Sequence, residues 1–588
     1  MPLKPMLSRA PLSDASFAPL PYTAVLPKGR LLKQLAACIH WAARLPLEEK
    51  MPDCLIALAF LCEDEELLSR AKAWVERMVS SQREDGSFGD AQKLDLQAHA
   101  IQGLISYYET VPEKEVLLFL LRYFQHVYRQ AEALFGGGKN AILVGEYASF
   151  ALALYERTGK AFLLHLMEKL RAYGPDWTGF FHTFPISRPF SKHISRQELE
   201  QGLHSSQTET KNYYERQQFF GNGIALAAGL KTPALFARFS GNIKEKEAGR
   251  LGLQRVMRHH GLANGMFTAD EFLQGGDPSR GIDSRAITQM IASLESLVCL
   301  QGYAAFADAW EKIALNALPA IMGKTGTRPM QRLNQPYTME EKVHSDETDE
   351  YAAASYLRGL TKYSSRLWMA APKDGLAILS YMPATVRWRI GGSLATLEVT
   401  GNYPYEEEIA ISLRIKKPAS FPLHLRIPAW AKDACVRIND EGGESPEPGS
   451  FFIIDRTWQN GDTIFLSLPM EPRLTVWHHQ SMAVEYGPLV MALPISSEEP
   501  LWNAAIVPEE PIIPSLEGKE NGIAISIGAR RVLGWTKKDG LPASPSVLPK
   551  TQEETLRLTL VPYGDTENRM TQLPQAGSVD KADSPLEE

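Results

Sequence analysis

The chain has 588 residues and a formal charge of −7, with 22% charged and 44% hydrophobic residues. That is the composition of an ordinary globular protein. It is too long for one hydrophobic core, so roughly two to four domains are expected. It has no long basic run, which argues against nucleic acid or an anionic membrane as partner, and no apolar run of about twenty residues to span a bilayer.

Cys38, Cys54, Cys62, Cys299 and Cys435 are scattered without a CxxC pair and read as reduced, mostly buried thiols. The N-terminal lead, residues 1–19, lacks the apolar core of a signal peptide, so a cytoplasmic protein is expected.

From Lys28 to about Tyr363 one figure repeats: a helical pattern, a short polar turn and a second helical pattern. It appears in CLIALAFLCEDEELLSRAKAWVERMV, IQGLISYYETVPEKEVLLFLLRYFQHV, YASFALALYERTGKAFLLHLMEKL, ALFARFSGNIKEKEAGRLGLQRVM and SLESLVCLQGYAAFADAWEKIALNAL. Apolar residues at i, i+3, i+4 and i+7 on both arms make each an αα-hairpin. Five hairpins, closed by a helix near Lys28–Arg44 paired with one near Asp349–Tyr363, predict an (α/α)6 toroid over residues 20–366. An open α-solenoid is the alternative.

The turn-to-turn spacing lengthens at Pro175–Gly223, a stretch rich in aromatics, His, Ser and Thr, which predicts an insertion at the mouth of the scaffold. Ser81–Gly89, SQREDGSFG, is a second Gly-Asp turn between helices. After Leu367, short alternating segments broken by turn residues predict an antiparallel β-sandwich over 367–481. A small β-module over 482–565 and a disordered tail over 566–588 follow. The fold class is thus multidomain α + β, a toroid followed by β-sandwich modules.

The stretch from His260 to Pro319 opens as a Gly- and Pro-rich loop bearing Asp270, Glu271, Asp277 and Asp283 and continues as two helices. An acid-bearing loop delivered onto a helical scaffold is a natural place for chemistry. GMFTADEFLQGGDPSRGIDSRAITQMIASLESL, EKIALNALPA, NQPY, FPLHLRIPAWA, WQNGDTIFLSLPM and AVEYGPLVMALP together resemble glycoside hydrolase family 127, the β-L-arabinofuranosidase-like proteins. The resemblance implies the same toroid-then-sandwich fold and cleavage of a terminal furanoside.

Assigned members of that family use a zinc-held cysteine, with ligands from a Glu-x-Cys and a Cys-Cys pair. The matching positions here are Asp283-Ser284-Arg285 and Tyr351-Ala352. No thiolate mechanism carries over, and no metal is expected, since an arginine at a ligand position repels a cation.

Two functional readings survive. In the first, a carboxylate pair replaces the thiolate: Glu271 as acid, with Asp270 as its alternative, and Asp283, Asp346 or Glu347 as base or nucleophile. Inversion is favoured over retention, because a water repairs the loss of an anchored nucleophile more readily than a new covalent partner does. His182, Asn222, Gln335, His344, Tyr351 and Arg285 are the candidate substrate-binding residues. In the second, the toroid is catalytically degenerate and binds a sugar, with Asp283 and Arg285 as a salt bridge.

A third class, a lyase or hydrolase of uronic-acid sugars, would draw on His182, His193, His204, Tyr213, Tyr214 and Arg216. Walker, GxGxxG, HExxH and GxSxG motifs are absent from the sequence, so no cofactor is expected. The expected partner is a short oligosaccharide, cleaved from its end. A homo-oligomer is compatible with the sequence.

Overall fold

A computed structural model describes residues 2–42, 47–90, 92–323, 328, 330–335, 346–390, 393–496, 501, 503–515, 522–533 and 547–577. The five anticipated hairpins are present. Their first arms are Pro52–Leu61, Leu94–Thr110, Val144–Thr158, Thr232–Ser240 and Ser284–Gln301; their second arms are Glu65–Ser80, Lys114–Phe135, Ala161–Tyr173, Ile243–His260 and Ala304–Leu315. Gly241 and Gly302 end first arms in the left-handed region, at φ 66° and 68°, where a β-carbon would be strained. Asp64 and Asn242 then cap the following arms, accepting from Leu67 N at 2.8 Å and Lys244 N at 3.0 Å.

Each first arm packs on the next, and the Asp346–Ser365 helix returns to Pro52–Leu61. This closes an inner ring of six helices among the described residues, with Asp346–Ser365 as the sixth and Gly29–Ala42 behind it. The sequence logic is visible in the first hairpin. The inner arm Pro52–Leu61 is buried almost throughout, whereas the outer arm Glu65–Ser80 buries only the stripe Leu67, Ala71, Trp74 and Val75. Among the described residues no helix is long and apolar enough to cross a membrane.

Among the described residues the β region holds a five-stranded and a six-stranded sheet, followed by an eight-stranded sheet. Three boundaries differ from the sequence reading. Strands Ala18–Pro19 and Val25–Pro27, at the junction of lead and toroid, pair with Trp368–Ala370 and Ala384–Ile390 and so belong to the first two sheets. The third sheet begins at Pro472, because Pro472–Val476 pairs antiparallel with Met482–Tyr486.

The expected disordered tail is also structured as far as Gly577. Arg569–Met570 pairs with Leu489–Pro494, and Met570, Gln572 and Leu573 are buried. One sandwich pairing is parallel, Ala419–Ile427 beside Leu376–Ile378, since the intervening strands lie in the other sheet.

Candidate active site

The loop from Gly261 to Ile282 is folded onto itself and onto three other parts of the chain. His260 is buried; its Nε2 donates to Ile186 O at 2.7 Å, and its Nδ1 accepts from Gly275 N at 2.9 Å. Burial pushes its pKa down to about 4, so the ring is neutral, one nitrogen donating and the other accepting. The imidazole thereby ties the loop to the long insertion.

The insertion reinforces that tie. Phe190 stacks on Phe272 with centroids 4.7 Å apart, and Phe190 N donates to Leu273 O at 2.8 Å. From the opposite side, Gly276 lies against His478 of the third sheet, and Gln572 Oε1 accepts from Ala263 N at 3.0 Å.

The structure treats the candidate acids differently. Glu271 is exposed, and its backbone carbonyl accepts from Gly223 N at 3.0 Å. Asp270 turns back into the loop, its Oδ1 accepting from Gly281 N at 2.5 Å with Arg280 3.9 Å from Oδ2. Asp283 is buried and caps the Ser284–Gln301 helix through Arg285 N at 2.8 Å. Arg285 also grips it side-on, Nε to Oδ1 at 3.1 Å and Nη2 to Oδ2 at 2.7 Å. Asp346 and Glu347 open the sixth inner helix, and their side chains, like all of His344, lie outside the described residues.

Of the candidate binding residues, Tyr351 is 61% exposed in the second turn of that helix, near enough to Arg285 to help raise its pKa after the Asp283 hydrogen bond. Asn222 caps Gly223–Gly229 through Ile224 N and Ala225 N, both at 3.0 Å, and bridges to Phe272. Gln335 is buried and exchanges backbone hydrogen bonds with Arg569, while its Oε1 has no partner among the described residues. His182 is engaged elsewhere: its Nε2 pairs with Lys244 O at 2.9 Å, joining the insertion to an outer helix. Beside the Ser81–Gly89 turn, a concavity of about 710 Å³ opens between Trp74, Arg77, Phe88 and Lys93.

Below this mouth the ring axis is charged. Arg358 binds Asp53 at 2.7 Å, Lys231 binds Glu146 at 2.6 Å, and Glu295 takes Arg366 at 2.8 Å and Lys362 at 3.4 Å. Burial would raise these carboxyls, but the neighbouring cations outweigh it and hold Asp53, Glu146 and Glu295 below their ordinary values. His99 joins them, lowered to about 4 by burial and then by Arg358. Every inner helix or its immediate N-terminus thus contributes a charged or titratable group to the axis.

Sequence reasoning missed this set because its acids stand alone in apolar runs. A lone acid in PDCLIALAFL or ASLESLVCL was the available signal.

Residues 375–470 match the family model described as Beta-L-arabinofuranosidase, GH127 middle domain. The chain is GH127-like. A solved glycoside hydrolase superposes with TM-score 0.75 at 16% identity, over 97% of this chain and 99% of that one. A GH127 beta-L-arabinofuranosidase from Geobacillus stearothermophilus T6 gives 0.66 at 18%, over 95% and 91%. A GH127 beta-arabinofuranosidase gives 0.69 at 14%, over 96% and 99%. Curated protein sequences give no match.

The GH127-like chain does not offer the cysteinate zinc site of that family's resemblance. The matching places hold a guanidinium clamped to Asp283, a phenol and the methyl of buried Ala352. The donor chemistry is wrong for zinc, which needs thiolate, imidazole or free carboxylate ligands.

Proposed function

We propose that the GH127-like chain is an exo-acting glycosidase that removes a terminal sugar, an L-arabinofuranoside or a related residue, from short oligosaccharides by carboxylate chemistry. The observation that supports the exo reading is that Pro5, Met6, Ala15 and Phe17 of the N-terminal segment line the cavity that also holds Glu146, Glu295 and Lys362, and so narrow the passage a polymer would need to thread the ring.

Glu271 is the proton donor in this reading, because it is exposed on a loop otherwise pinned on several sides. Asp283, with both oxygens engaged by Arg285 and a helix amide, serves as a positioning residue for the Arg285–Tyr351 edge. The base falls to Asp346 or Glu347, at the start of the sixth inner helix.

The test is an assay on aryl furanosides, neutral pyranosides and uronides with wild type, Glu271→Gln, Asp346→Asn and Glu347→Gln. Glu271→Gln is expected to lower kcat by about 10²–10⁴-fold, with a similar loss in one of the other two. Saturable sugar binding without turnover would select the degenerate-binder reading instead. Turnover confined to uronides would replace the furanoside assignment.

A further inference from the structure

Away from the Glu271 loop, the ring carries a half-open cavity of about 170 Å³. Its charges do not balance. The lining holds four carboxylates and five cations. Four pairs form directly: Glu109 with Arg157 at 3.1 Å, Glu146 with Lys231 at 2.6 Å, Glu156 with Arg238 at 3.0 Å and Glu295 with Arg366 at 2.8 Å.

Lys362 is the remainder. Its ammonium has three donors and, among the described residues, reaches only Glu295 Oε2, at 3.4 Å, a carboxylate already held by Arg366. One turn beyond Glu146, Ser149 faces the same space with no hydrogen bond to another described residue. Gln102 lines it too, with Nε2 on Ser106 Oγ at 3.1 Å.

A partly buried surplus cation with unused donors favours an anion or ordered water beside it. Size narrows the choice, since a cavity of about 150 Å³ holds one benzene-sized molecule of six heavy atoms. An intact pyranose or furanoside is larger than that, and none of Glu271, Asp283, Arg285 and Tyr351 lines the cavity, so it lies apart from the proposed glycosidase site. We propose that the cavity binds a small hydroxycarboxylate of three or four carbons, its carboxylate on Lys362 and its hydroxyl on Ser149. Glu146 and Glu295 face the ligand but are neutralised by their own cations. Pro5, Met6, Ala15 and Phe17, all in irregular chain, form one side of the half-open cavity.

The test is equilibrium dialysis and calorimetry of the full chain with lactate, lactamide and chloride at fixed ionic strength. Lactate is expected to bind saturably, with lactamide, which lacks the charge, and chloride, which lacks the hydroxyl, each at least tenfold weaker. Lys362→Met and Ser149→Val should each weaken lactate at least tenfold. Should Lys362→Met fail to fold, the neutral Ser149→Val, which fills part of the cavity, still decides. Absence of saturable lactate binding, equal binding of lactamide or chloride, or lactate binding unchanged in a folded variant would overturn the proposal.

Discussion

His260 shows how one side chain orders the candidate-site loop. Both ring nitrogens are used, so protonation would cost the acceptor that holds Gly275 N. Its folded-state pKa of about 4, like that of His99, lies below the ordinary histidine value of about 6.5. Unfolding lets each ring take a proton below about pH 6.5. The stability they contribute is therefore present above that pH and lost as pH falls toward 4, on the order of 3 kcal/mol for each. Urea midpoints should accordingly drop between pH 7 and pH 4.5; His260→Gln should start lower and fall less steeply. Asp283→Ala should cost about 1–2 kcal/mol through loss of the helix cap, with Asp283→Asn closer to wild type. The Asp283–Arg285 salt bridge was legible in the sequence as part of the sugar-binding alternative, but the helix cap that the same carboxylate makes through Arg285 N was not, since that amide is presented only once the helix has formed.

At the level of elements, the hairpins were readable because a period of 3.6 in apolar residues survives without any tertiary information. Ring closure was readable only as a count. What holds the closure is the seam between the first and sixth inner helices, where Asp53 meets Arg358 at 2.7 Å and 3.2 Å, about 300 residues away in sequence. Removing one partner leaves a buried charge uncompensated, so Arg358→Met should destabilise by about 3–5 kcal/mol. The double variant Asp53→Leu with Arg358→Met should recover much of that loss, which a double-mutant cycle by chemical denaturation would measure. Additive losses would mean that the pair does not couple the two helices. The insertion at Pro175–Gly223 reached the mouth as anticipated, through Phe190 on Phe272, although His182 within it turned outward to a backbone carbonyl.

Across the whole molecule, the two chain ends are structural parts of distant regions. Strands at Ala18–Pro19 and Val25–Pro27 complete the sandwich sheets, and the segment after Asp565 braces the mouth. Asn334 Nδ2 donates to Gln572 O at 2.8 Å, and Asn334 Oδ1 accepts from Thr571 N at 2.9 Å. Truncation after Asp565 should therefore lower the melting temperature and reduce any turnover, whereas a disordered tail would be dispensable; calorimetry of the truncated chain distinguishes the two. Elemental analysis should find no stoichiometric zinc, because the positions matching the family's metal ligands hold a guanidinium, a phenol, a methyl group and one carboxylate, Asp283, whose two oxygens are already engaged by Arg285. The sequence by itself determined the class of fold, the hairpin count, the alternating strands and the family resemblance, since these follow from periodicity and local motifs. Only the tertiary structure decided which acids are free, how the ring axis is charged and where the ends belong. Those properties depend on partners far apart in the chain, and an isolated Asp, Lys or short polar strand carries no mark of the partner it will meet.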